Sequence, residues 1–325
     1  MKRSVFIHAA LFILLLSGWG SSAMAQSDTL VFAPHWIPQA QFAGYYVALD
    51  QGFYKEAGLK VKIIHPSSDV SSFDYLKSGK AHLVSSFLLD GIKQRVQGVP
   101  LVNVGQLSQH SALMMVARKG KGIERPEDLE GKKLGIWSQG FDDIPLTFLK
   151  ERKIDLEIVR ILNTVNLFMM GGIDAMVVMY YNEYDQIINS GINEDELIPF
   201  FFAKYGFDIP EDGIYCLEAT RDARPDDVAR FVQATLKGWE YAAQHKEYCI
   251  NLVVEEMRKA HLPNNKAHQR WMLDRVLELI APGDKQVLKG KLLESDFQRA
   301  LQIIEKQSGT DHAKTSVSYP LFHRP

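Results

Sequence analysis

Apolar and polar positions follow two periods along most of the chain. Short apolar or β-branched runs at 29–33, 59–64, 82–86 and 101–107 predict strands, and the segments 39–50, 71–77 and 89–97 between them carry helical spacing. Ser71 caps the start of the 71–77 helix, and Gly79 closes it. A second series follows, with strands at 133–137, 157–162, 174–179 and 197–203 and helices at 142–152, 165–170 and 181–190. Such alternation predicts βαβ units and mainly parallel sheets. It breaks at two further strand-like runs, 112–117 and 214–217. Beyond them almost everything reads as helix: 225–245, with Pro225 in its first turn, then 247–260, 266–279 and 295–306. The stretch after Gly309 is polar and aperiodic, and it predicts a mobile tail.

Two breaks in an otherwise regular alternation predict one α/β unit inserted into another. The expected fold is α/β, with two lobes joined by a two-strand hinge and a ligand cleft between them. The expected division is a first lobe from 26–114 and 215–310, a second from 115–214, and a flexible tail at 311–325.

The first residues add a compartment. Lys2 and Arg3 precede an apolar run from Val5 to Leu16, and Ala23-Met24-Ala25 precedes Gln26. This is the charge, apolar core and cleavage order of a secretory signal, and the run is shorter than the roughly 20 residues of a membrane span. Residues 1–25 are expected to be removed, which leaves a periplasmic protein. The net charge of −2 gives no electrostatic footprint for nucleic acid or an anionic membrane. The two cysteines, Cys216 and Cys249, read as small buried hydrophobes, although an exported location permits a disulfide. No histidine or cysteine spacing suits a metal, no Gly-x-Ser-x-Gly elbow is present, and no P-loop lysine follows a glycine-rich turn. No cofactor or metal is expected, and the chain is expected to be monomeric.

Candidate binding residues gather where strands end, because ligands of open parallel sheets sit outside the strands' carboxyl ends. After the first strand come Trp36, Gln39, Gln41, Phe42 and Tyr45. Trp36 offers a face for stacking a ring, and the glutamines offer amides, while the three aromatics equally suit a core. Ser85 and Ser86 end a strand, as hydroxyls for the crevice or as a helix cap. Gln139 and Phe141 lie at the strand-to-helix junction of the second series, where free backbone N–H groups suit a polar ligand group. Tyr181 and Glu183 follow the apolar run 175–179, as a stacking ring and a hydrogen-bond acceptor, or as a plain helix start.

Several stretches then carry a resemblance. Trp36–Tyr46, Gly52-Phe53-Tyr54-Lys55-Glu56-Ala57-Gly58-Leu59, Gly79-Lys80, Gly131-Lys132-Lys133-Leu134-Gly135, Gly172-Ile173-Asp174-Ala175, Tyr181-Asn182-Glu183-Tyr184, Glu211-Asp212-Gly213-Ile214-Tyr215 and Gly238-Trp239 occur in this order. Together they resemble the NMT1/THI5-like family. The resemblance implies a periplasmic-binding-protein type II fold and the substrate-binding component of an ABC importer, with a membrane permease as partner. It implies as ligand a small aromatic N-heterocycle, a thiamine pyrimidine precursor first and riboflavin next. The family's pyrimidine binders sandwich the ring between aromatics and hold its polar edge with an acidic side chain, which points to Trp36, Phe141, Tyr181 and Glu183. A fungal branch of the family is a pyrimidine synthase that uses a lysine-bound pyridoxal phosphate and consumes its own histidine. Here Ser86 takes the lysine's place and Asp90 the histidine's, and of the synthase's cysteine cluster only Cys216 remains. These departures argue for binding without turnover, with the synthase-like enzyme and a ligand-presenting sensory protein as alternatives.

Overall fold

The computed structural model describes residues 29–67, 70–137, 142–162, 164–281, 290–308 and 317–325. The expected signal at 1–25 and two candidate residues, Gln139 and Phe141, lie outside the described residues.

The strands are β1 (Thr29–Ala33), β2 (Lys60–Ile63), β3 (Leu83–Phe87), β4 (Leu101–Gln106), β5 (Leu113–Arg118), β6 (Lys133–Trp137), β7 (Glu157–Ile161), β8 (Ala175–Met179), β9 (Leu197–Phe201) and β10 (Asp212–Leu217). They form two five-stranded sheets, ordered β2-β1-β3-β10-β4 and β7-β6-β8-β5-β9. The β1, β2 and β3 pairings are parallel, as are those of β6 with β7 and β8. The antiparallel member of each sheet is the strand that has just crossed from the other: β10 runs against β3 and β4, and β5 against β8 and β9. These are the two runs at which the sequence alternation breaks. The inner strand β8 is buried along its whole length, as expected where helices cover both faces of a sheet. The edge strands β2 and β7 carry Lys60, Lys62, Glu157 and Arg160, charges that discourage pairing with another chain.

The helices are α1 (Ala43–Asp50), α2 (Phe53–Glu56), α3 (Ser72–Lys77), α4 (Leu88–Val96), α5 (Asp143–Arg152), α6 (Asn166–Met169), α7 (Glu183–Asn189), α8 (Glu218–Ala223), α9 (Pro225–Gln244), α10 (Lys246–Lys259), α11 (Lys266–Ile280), α12 (Glu294–Ser308) and α13 (Tyr319–Phe322). A 3-10 turn, Ala40–Phe42, precedes α1, so the single helix expected at 39–50 is in two parts. Ser71 caps α3 as its position suggests, its hydroxyl accepting from Phe73 N. The short α8 was not legible in the sequence. Cys216 and Cys249 are buried and unpaired, and burial pushes both thiols up to about 12.

The flexible tail expected at 311–325 is corrected at its far end. Val317 and Phe322 are buried, and Phe322 packs against Phe297 and Tyr215. His323 Nδ1 lies 2.8 Å from Asn103 Oδ1, and Arg324 N donates to Asn103 O at 2.8 Å. Two apolar side chains and one buried polar contact outweigh the polar composition of the preceding stretch.

The chain passes between the sheets at 107–112 and 202–211, and side chains lace these crossings together. Ser111 N donates to Asp208 Oδ1 at 2.8 Å, and Glu211 N donates to Ser108 Oγ at 2.9 Å. Ser111 Oγ and Ala112 N both donate to Glu211 Oε1, at 2.9 and 2.7 Å.

Candidate functional site

The cleft between the lobes is lined from three sides. Phe87 and Leu89 come from the first lobe, Asp143, Ile144 and Met179 from the second, and Ser111, Leu113, Ile209, Pro210 and Glu211 from the crossings and their ends. Ile144, Met179, Ile209 and Leu113 are apolar and buried, so the two carboxyls, Glu211 and Asp143, stand out chemically.

Beside this cleft the loop after β1 builds a polar relay. His35 N donates to Ser85 Oγ at 3.1 Å, and His35 Nδ1 lies 2.9 Å from the same oxygen. Gln41 Nε2 lies 3.3 Å from His35 Nε2 and 3.1 and 3.2 Å from the two oxygens of Asp212. Gln39 Nε2 donates in turn to Gln41 Oε1 at 2.6 Å. A proton on His35 Nδ1 satisfies this set. Burial, and then His65, lower His35 to about 3, so the ring is neutral. The rings of Phe42 and Phe87 meet His35 edge-on, at 5.2 and 4.8 Å between centroids. His65 clamps the loop from behind: its Nδ1 is 2.6 Å from Trp36 O, and its Nε2 is 2.9 Å from Tyr46 Oη. The main chain of Trp36 is therefore fixed while its ring stays half-buried.

The sequence candidates divide accordingly. Trp36, Gln39 and Ser86 lie at the carboxyl ends of β1 and β3, with Ser86 buried opposite Gly213. Phe42 and Tyr45 are fully enclosed in the first lobe, where Tyr45 stacks on Phe32 at 4.2 Å, and their rings serve the core. Tyr181 is buried, and its hydroxyl is held well above its ordinary range by burial and by the Glu211, Asp212 and Glu183 carboxyls, which puts all four groups in one neighbourhood. Glu183 is committed locally: Oε2 accepts from Met179 N at 2.8 Å, and Oε1 accepts from Asn182 Nδ2 at 2.7 Å. It closes the turn between β8 and α7. Among the described residues no cluster of His, Cys, Asp or Glu is arranged to hold a metal ion.

Several bonds tie the lobes across the cleft. Lys93 of α4, half-buried, pairs with the buried Asp143 of α5. Helix α11 spans the other side: Gln269 Oε1 accepts from Ala40 N at 2.8 Å, while Trp271 Nε1 donates to Tyr180 O at 3.0 Å. His268 reaches α7, with Nδ1 2.6 Å from Asp185 Oδ2 and Nε2 3.2 Å from Asn182 Oδ1.

Residues 39–248, well over half of the chain, match the family described as NMT1/THI5 like. The chain belongs to the NMT1/THI5-like family. It is similar to a formylaminopyrimidine-binding protein of Halalkalibacterium halodurans, with 24% identity over 280 residues that cover 81% of this chain and 82% of that protein. It is also similar to the riboflavin-binding protein RibY of Chloroflexus aurantiacus, with 24% identity over 353 aligned positions that cover 98% and 99%. Among solved structures, the periplasmic aliphatic sulphonate binding protein SsuA of Escherichia coli superposes with a TM-score of 0.67 at 15% identity, covering 92% of this chain and 95% of that one. That likeness shows the fold, a periplasmic-binding-protein type II fold with two lobes.

Glu211 and Asp212 lie within an element that carries the family resemblance, and His35 lies just before one, yet the sequence alone assigns none of them a role. The signal was their position: His35 follows β1, and Glu211-Asp212 enters β10, both at the cleft. Burial pushes Glu211 up to about 8, with Asp212 adding to it, although the Ala112 N–H and the Ser111 hydroxyl pull the other way. Burial likewise raises Asp212 to about 7, against the pull of Gln41. A carboxyl raised in the folded state contributes stability that is complete below its unfolded value, near 4.5, and is lost as pH rises through the folded value. The lowered histidines act only below about 6.5. Between pH 6.5 and 8.5 the ligand-free protein is therefore expected to lose stability on the order of 1–3 kcal/mol, a few degrees of melting temperature. Melting curves across that window check this. The decline should be shallower in Glu211→Gln, and a flat native profile would contradict the burial of these carboxyls.

Proposed function

We propose that this protein is the exported substrate-binding component of an ABC importer and that its cleft holds a small aromatic N-heterocycle. A thiamine pyrimidine precursor is the first choice and riboflavin the next. The observation that carries this reading is one cavity between two lobes that combines the Phe87 ring and apolar Ile144 and Met179 with the Glu211 and Asp143 carboxyls, and Trp36 and Tyr181 are proposed to add ring surface to it. Rings gain from stacking and from leaving water, and the few buried polar groups select their edge. The family relatives named for formylaminopyrimidine and riboflavin support the same ligand class. Gln139 and Phe141 are proposed to complete the site from the second lobe. The lobes, 26–114 with 215–310 and 115–214, are proposed to close about the two crossings, so that a membrane permease reads the closed form. The mature protein is proposed to act in the periplasm as a monomer.

A synthase-like reaction is disfavoured by residue type. The position matching the synthase's lysine is Ser86, buried within β3, and the position matching its histidine is Asp90, a carboxyl that burial raises to about 7. Neither can supply the amine or the imidazole.

A thermal-shift panel tests the reading. The chain from Gln26 onward is melted with formylaminopyrimidine, hydroxymethylpyrimidine, thiamine, riboflavin, pyridoxal phosphate, an alkanesulfonate and amino acids. A ligand at 100 times its Kd adds about 2.7 kcal/mol of stability. A rise with a pyrimidine or flavin is expected, and a response to pyridoxal phosphate alone would favour the enzyme.

The closing contacts carry a second expectation. His268→Ala removes the two bonds His268 makes to Asp185 and Asn182 and leaves Asp185 with only its local bond from Asn189. Losing a hydrogen bond to a charged group costs about 1.5–3 kcal/mol. If that loss falls on the closed state, apparent affinity should drop by about tenfold or more, with a larger radius of gyration for the ligand-bound protein in X-ray scattering. Unchanged affinity and scattering would show that α11 does not latch the lobes.

A further inference from the structure

Glu211 is a cleft-lining acid with one buried oxygen that no described residue satisfies. Its side chain is 6% exposed, and Oε1 is already used twice, by Ser111 Oγ and Ala112 N of the opposite crossing. Oε2 is buried and has no hydrogen-bond partner among the described residues. The same side chain lines the cavity between Phe87 and Leu89 of one lobe and Ile144 and Met179 of the other. The nearby acids are spoken for: Asp212 by Gln41, Glu183 by Met179 N and Asn182, and Asp143 by Lys93. A buried acceptor without a donor costs about 1–3 kcal/mol, and more when it is charged, so it persists where something else supplies the donor.

We propose that Glu211 is the polar anchor of the cleft, its carboxylate ionised in the complex and its Oε2 accepting an N–H from the ligand's amino-bearing edge. This deepens the binding reading above and rests on it. The ligand class narrows to heterocycles that present an exocyclic amine or a protonated ring nitrogen. Anionic headgroups are disfavoured, because Asp143 lines the same cavity and Asp212 adjoins Glu211. The anchor also sits in the hinge. Oε1 stitches residue 211 of one crossing to Ser111 and Ala112 of the other, so a ligand that seats on Oε2 pulls on the segments about which the lobes turn. Ligand capture and closure then share one side chain, whereas an anchor at Glu183, inside the second lobe, would report to one lobe only.

A matched pair of probes tests this by calorimetry: 4-amino-2,5-dimethylpyrimidine and 2,4,5-trimethylpyrimidine, which differ by an amine against a methyl group. The native protein is expected to bind the amino probe at least tenfold more tightly. Glu211→Gln keeps an oxygen for Ser111 and Ala112 but puts an amide N–H where Oε2 was. It is expected to retain the trimethyl probe within about threefold and to lose the preference for the amine. Equal binding of the two probes by the native protein overturns the anchor while leaving a heterocycle cleft standing, and needs no variant to fold. A preference that survives in Glu211→Gln overturns it too, and silence with both probes overturns the binding reading and the anchor together.

Discussion

Gly238→Ala is expected to melt about 4–8 °C below the native protein. Helices α1 and α9 cross glycine to glycine. A Cβ on Gly238 would lie 2.1 Å from Gly44 O and 2.9 Å from Ala48 Cβ, and a Cβ on Gly44 would lie 2.3 Å from the Trp239 ring. None of the atoms facing Gly238 is the end of a flexible side chain, so the helices must part. Alanine recovers about 1 kcal/mol of helix propensity over glycine. Overpacking of a close crossing costs typically 1–3 kcal/mol and occasionally more, here at the upper end because the clash is with backbone. A net loss of about 2–4 kcal/mol, at roughly 2 °C per kcal/mol in a chain of this size, gives the stated drop. Differential scanning calorimetry checks it. Because α1 follows the loop that carries His35 and Trp36, Gly238→Ala should also weaken ligand binding without touching the cleft. A melting temperature within 2 °C of native would show that the crossing is looser than its distances.

The largest effect on binding is expected at Trp36. Trp36→Ala should reduce affinity for a ring ligand by about 30-fold or more, because buried aromatic anchors at a binding site are worth about 2 kcal/mol and upward. The fold should survive the change. His65 holds the carbonyl of residue 36 rather than its ring, and the ring is only half-buried. The melting temperature of the ligand-free variant should therefore stay near native while calorimetric binding collapses. Affinity retained within threefold would move the stacking surface elsewhere, and a collapse of stability would return Trp36 to the core.

The fold was largely legible because its signals are local. The period of apolar residues placed the described strands within a residue or two, and the two breaks at 112–117 and 214–217 marked the strands that enter each sheet antiparallel. Most of what was lost depended on contacts distant in sequence. Phe42 and Tyr45 look like ligand aromatics on a loop near a strand end, yet Phe32, His35 and His65 enclose them. Glu183 reads as a free acid at a helix start, but the turn itself consumes it. Glu211 shows the reverse: its importance comes from Ser111 and Ala112, about 100 residues away, and from an oxygen that nothing in its own segment satisfies. The C-terminal end was misread for the same reason, since only the folded chain brings Phe322 and His323 to Asn103 and Phe297.

The measurement to make first is a calorimetric titration of the chain from Gln26 onward with formylaminopyrimidine, followed by riboflavin. One molecule per chain is expected to bind, with a negative heat-capacity change from apolar burial and with loss of the signal in Trp36→Ala. Heats at the level of dilution for both ligands, or binding that Trp36→Ala leaves untouched, would contradict a heterocycle site in this cleft.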